Sequence, residues 1–74
     1  MEYDLPQTTH VTVNIFNIQG QKIRTLFSGK QNAGKHLLHW DGLTDSGELA
    51  SSGIYFYQIK SSAWTDSRKM LMIR

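Results

Sequence analysis

Short runs of β-branched and aromatic residues recur along this chain at intervals of about 8–12 residues, and no segment carries a helical period. Turn-forming clusters at residues 6–9, 19–21, 28–34, 42–47, 51–53 and 61–65 close each run. That rhythm confines the chain to an all-β architecture, a sandwich or a barrel. Strands are expected over residues 2–5, 10–18, 22–27, 35–41, a short piece at 48–50, then 54–61 and 68–73.

Side chains alternate across a strand, which assigns faces. Val11, Val13 and Ile15 share one face, opposite Thr12 and Asn14. Leu38 and Trp40 share a face with His36, while Leu37 and His39 point the other way. Tyr55, Tyr57 and Ile59 alternate with Phe56, Gln58 and Lys60; the second set ends in polarity, so the Tyr-Tyr-Ile face is expected inside. Ile23 and Leu26 differ in parity, as do Ile15 and Ile18, and each pair predicts a bulge or a strand end. The last run, Lys69-Met70-Leu71-Met72-Ile73-Arg74, is apolar on both parities and basic at both ends. Such a strand is expected to be central or covered on both faces, closing the sandwich. Its place near the C-terminus also offers it to a partner.

At 74 residues and 8.5 kDa the chain is expected to form one domain with a compact core. No apolar run approaches the ~20 residues of a membrane-spanning helix, and the opening Met1-Glu2-Tyr3-Asp4 lacks a signal peptide's basic and apolar regions. A formal net charge of +2 is too mild to point to nucleic acid. Zero cysteines excludes disulfides, thiolate zinc sites and cysteine nucleophiles. Stability must then come from the aromatics, with little in reserve.

Candidate chemistry is sparse. His36 and His39 fall on opposite strand faces, whereas a chelating pair on a strand needs i and i+2. The segment from Asp41 to Glu48 carries oxygen ligands and glycines but lacks the carboxylate spacing of a calcium loop. Asp41 and Asp45 are expected instead to accept loop amides in Asx turns, with the glycines at positive φ. No cofactor or metal is expected, and no motif holds Ser, His and Asp together for catalysis. An oligonucleotide-binding barrel is the rival fold, but Tyr55, Phe56 and Tyr57 point alternately in and out and the basic residues form no stripe. Trp64 lies in a connection, where packing over the open end of the sandwich is favoured over a role as a sugar-stacking platform.

The order of these pieces is more specific than any one of them. Val-Thr-Val-Asn-Ile-Phe-Asn-Ile-Gln-Gly from Val11 to Gly20 is followed by Gln21-Lys22-Ile23-Arg24-Thr25-Leu26, Ala33-Gly34-Lys35-His36, Trp40-Asp41-Gly42, Asp45-Ser46-Gly47, Ser52-Gly53-Ile54-Tyr55-Phe56-Tyr57 and Lys69-Met70-Leu71. The string resembles the immunoglobulin-like C-terminal sorting domain of type IX secretion cargo, and equally the related immunoglobulin-like domain of flagellar hook-capping (FlgD-like) proteins. The resemblance implies an immunoglobulin-like antiparallel β-sandwich of about seven strands. Trp40, Asp41, Gly42, Gly53, Tyr55 and Tyr57 are its core and turn positions. The family's usual Asn-Pro-rich lead-in is missing, so the first strand is expected to be shortened. A sheet edge left bare in this way invites strand-mediated homodimerisation.

The function implied by the resemblance is one of address rather than chemistry. A sorting domain would end a larger secreted protein, be exported through the periplasm, and reach the cell surface or the outside. Recognition by the outer-membrane secretion machinery would then fall on Lys69, Met70, Leu71, Met72, Ile73 and Arg74. The alternative is a non-catalytic assembly module of a flagellar hook-capping or other cell-surface protein. A carbohydrate-binding appendage of a secreted glycosidase is a third reading.

Overall fold

The computed structural model describes residues 1–73. Six strands make up the fold: β1 (Glu2–Leu5), β2 (Thr9–Phe16), β3 (Lys22–Gln31), β4 (Gly34–Leu37), β5 (Gly53–Ser61) and β6 (Thr65–Met72). No helix occurs among the described residues. The strands form two antiparallel sheets, a small one of β1 and β4 and a larger one in the order β3-β2-β5-β6. The all-β architecture is that expected of an immunoglobulin-like sandwich.

The core lies between the sheets, and the alternation in the sequence places it. Val11, Val13 and Ile15 of β2 and Ile59 of β5 are wholly buried, beside Tyr55 and Tyr57. Tyr3 and Leu5 of β1 cover them from the small sheet, and Ala50 comes in from the connecting loop. Burying such aliphatic side chains stabilises by about 1.5–3 kcal/mol each.

Two hairpins frame the larger sheet. At the β2–β3 turn the Asn17 side chain accepts the amides of Gln19 and Gln21, both at 3.0 Å, while Gly20 supplies the positive φ of 82°. The register along β2–β3 shifts at Val13/Asn14 and again at Ile15/Phe16. These two irregularities turn both Ile23 and Leu26 toward the core in spite of their odd spacing, as their parity predicts. Ile18 falls past the end of β2 and is exposed. At the β5–β6 turn the Ser61 hydroxyl accepts the amides of Ala63 and Trp64, and the Trp64 ring packs half-buried against the core.

Three expectations need correction. The short strand at residues 48–50 is not formed; an isolated bridge between Leu43 and Leu49 stands there inside a loop. The described residues therefore hold six strands rather than about seven. β4 stops at Leu37 instead of reaching Asp41, with Met1 and Leu38 exchanging backbone bonds just beyond the β1–β4 ladder. β6 is an edge strand, not a central or doubly covered one. A strand that follows its neighbour in a hairpin has a partner on one side only, and apolarity on both parities does not supply another. Met70 and Met72 pack inward, while Leu71 is 67% exposed. The first strand has four residues, and all four pair with β4.

Candidate functional site

The segment singled out for recognition lies along β6 and just beyond it. Met70 stands opposite Tyr55 and Met72 opposite Gly53, so both sulfur side chains belong to the core side. Lys69 stands opposite Phe56 and Leu71 opposite Ile54, on the outer face. Ile73, past the strand, is 78% exposed. Arg74 lies outside the described residues. The structure thus divides this segment between two faces instead of presenting it as one surface. The unpaired edge of β6 borders a groove that Leu38, Trp40 and Met70 help to line.

Trp40, Asp41 and Gly42 begin a loop that closes one end of the sandwich. The Trp40 indole N–H donates to the Leu43 carbonyl at 2.8 Å, and its ring meets Tyr55 edge-on at 5.1 Å. The ring is half-buried against the core rather than sealed within it. Asp41 accepts the Leu43 amide at 3.0 Å in an Asx turn, with Gly42 at φ 81° and Gly47 at φ 85°. Asp45 departs from expectation: its carboxylate accepts the Thr25 amide of β3 at 3.0 Å, across the fold, instead of a loop amide. Its own amide donates to the Ile23 carbonyl. Arg24 ties the same loop down, donating to the Leu43 carbonyl at 3.0 Å and pairing with Asp41 and Asp45. Both acids are therefore engaged in holding a loop onto β3. Gly53 enters β5 at φ 151°, and the Tyr55 hydroxyl donates to the Ser51 carbonyl.

The histidines stay separate. His36 stacks on Tyr3 with ring centroids 5.5 Å apart and bonds the Asn32 carbonyl, while His39 is exposed. No group of three metal-ligating side chains occurs among the described residues. Two groups have shifted protonation. Burial pushes the Tyr3 phenol, which donates to Gln31, above its ordinary value. Arg68 is raised by its bond to Asp66, which holds its charge more firmly. Neither shift builds an acid–base pair.

One feature escaped the reading of the sequence: the outer face of the larger sheet gathers lysines beside an apolar end. A scatter of Lys along the chain shows no stripe until the pairing register sets Lys30 beside His10 and Lys69 beside Phe56.

A search of curated proteins found no match, and neither did a search of solved structures. The family model described as FlgD Ig-like domain matches residues 1–67, from Met1 through the first part of β6. The match takes in both hairpin turns, the Trp40 anchor and the Tyr55–Tyr57 strand, and it ends before the Lys69–Ile73 segment. On that match this chain belongs to the FlgD Ig-like domain family.

Proposed function

We propose that this domain is a non-catalytic assembly module of a flagellar hook-capping or other cell-surface protein, forming one part of a larger exported chain. The observation that carries the reading is the family match over residues 1–67. The loop chemistry agrees with it, since Trp40, Asp41, Asp45 and Arg24 are spent on holding the fold. Its partners are proteins.

A second reading, type IX sorting, draws on one observation: Leu71 and Ile73 stand exposed along and beyond an unpaired strand edge. Recognition there could engage the edge without unfolding the sandwich.

One experiment separates the two. The segment is deleted from its parent gene in the source bacterium, and both location of the parent protein and completeness of the surface structure are measured. An assembly module predicts a parent protein that is exported normally but a structure that fails to form. A sorting domain predicts a parent protein retained inside the cell. Normal export with a complete structure would overturn both.

A further inference from the structure

We propose that the outer face of the four-stranded sheet docks an acidic partner protein, one whose contact surface carries an apolar patch bordered by carboxylates. This deepens the assembly reading and rests on it for its biological setting.

Charge is the first argument. Cross-strand partners share a face of a sheet. Lys22 pairs with Phe16, Lys30 with His10, Lys60 with Thr12 and Lys69 with Phe56, and all of these alternate with the buried Val11, Val13, Ile15, Tyr57 and Ile59. Four lysines therefore stand on one face. The carboxylates stand elsewhere: Glu2 and Asp4 alternate with buried Tyr3 and Leu5 on the small sheet, and Asp41, Asp45 and Glu48 belong to the loop. Asp66 pairs with Ile59 on the core side. Among the described residues no carboxylate shares the lysine face, and the ion pairs use Arg24 and Arg68, which alternate to the other parity opposite Ile15 and Tyr57. A patch of one sign repels itself unless an opposite charge arrives.

Apolar surface is the second. At one end of this face Phe16, Ile18 and Phe56 line an open hollow of about 350 Å³, and Ile54 and Leu71 continue it toward β6. Ile18 is 70% exposed and Leu71 67%. Lys22 and Lys69 flank this end through their pairing with Phe16 and Phe56. An apolar centre with a charged rim is the anatomy of a protein–protein contact. The two Phe rings are half-buried along the sheet, which suits side chains laid on them better than insertion into a bilayer.

The probe is a synthetic helical peptide bearing a stripe of Leu flanked by Glu, titrated into the isotopically labelled chain and followed by amide NMR shifts. Two controls run beside it: the same peptide with Lys in place of Glu, and phosphatidylglycerol vesicles. The Glu peptide is expected to bind saturably, moving Phe16, Ile18, Phe56, Lys69 and Leu71 while leaving Glu2–Leu5 still. Affinity should fall about tenfold or more as salt rises from about 50 mM to about 500 mM. Lys22→Glu with Lys69→Glu should abolish binding without moving the melting midpoint, because both side chains are exposed. Leu71→Ser should weaken it with the charges intact.

The proposal is overturned by absence of saturable binding, by equal binding of the Lys peptide, by shifts centred on another face, or by binding to vesicles alone. If the peptide binds here while deletion of the domain leaves the surface structure complete, the assembly reading fails and the docking face stands. If deletion blocks assembly but the peptide does not bind, the reverse holds.

Discussion

The larger sheet and the loop region from Leu38 to Ser52 solve the same problem, enclosing one apolar interior, by different means. In the sheet, β2 is paired on both sides and its inward residues are wholly buried. Stability there is apolar area and a continuous ladder. The loop has a single isolated bridge and depends on directed polar bonds from Trp40, Asp41, Asp45 and Arg24. Substitutions in the sheet should therefore scale with the volume removed, and those in the loop with the bond broken.

The largest effect is expected at Ile59, which is 0% exposed at the centre of the core. Ile59→Ala should cost about 4 kcal/mol, comparable to the whole stability of a scaffold this small. Circular dichroism should show a chain largely unfolded at room temperature; a cooperative melt close to the parent's would show that the sheet's interior can collapse around the gap.

Trp40 sits where the two modes meet, and it should come next. Trp40→Ala removes the ring contact and the indole bond together, for about 3 kcal/mol. Trp40→Phe keeps an aromatic ring near Tyr55 and loses the bond to Leu43, for about 1 kcal/mol. Equal losses for both, measured by urea denaturation, would mean that the hydrogen bond and not the ring anchors the loop.

Gly47 tests the loop alone. Its φ of 85° is costly for any residue with a Cβ, although open space surrounds it. Gly47→Ala should therefore cost about 1 kcal/mol with no steric component. A neutral result would show that the turn can relax and that its polar bonds tolerate the movement.

The smallest effect is one of pH. Burial raises the Tyr3 phenol above its ordinary value, so above a pH of about 10 the unfolded chain releases a proton that the folded chain retains. Stability present below that pH should then decline as pH rises through the folded value. Tyr3→Phe should flatten this alkaline decline in denaturation curves taken across the range. An unchanged slope would assign it to other groups.

These contrasts follow what was legible in the sequence. Local alternation revealed the inner faces of β2 and β5, and the broken parity of Ile23 and Leu26 signalled the irregular pairing of β3 with β2 before any partner was known. The turn at residues 19–21 was readable for the same reason, as its chemistry lies within a few residues. Residues 48–50 misled because Leu43 and Asp45 are fixed by β3 through Arg24 and Thr25, bonds that no local pattern records, and Leu49 only bridges Leu43. Met70 to Ile73 misled differently: apolarity reports what a strand tolerates, not whether a neighbour exists. The lysine face was invisible because Lys22, Lys30, Lys60 and Lys69 converge only once register is set.

The order β3-β2-β5-β6 also dictates how the chain can come together in time. The β2–β3 and β5–β6 ladders join neighbours in the chain and can zip as local hairpins, whereas the central seam couples Val11 to Ser61. Closing that seam carries the entropic penalty of the intervening segment before its burial is rewarded. During synthesis from the N-terminus, β2 must wait with one edge unpaired until β5 has emerged. A pause of the ribosome before Gly53 would hold the nascent chain at its most adhesive stage.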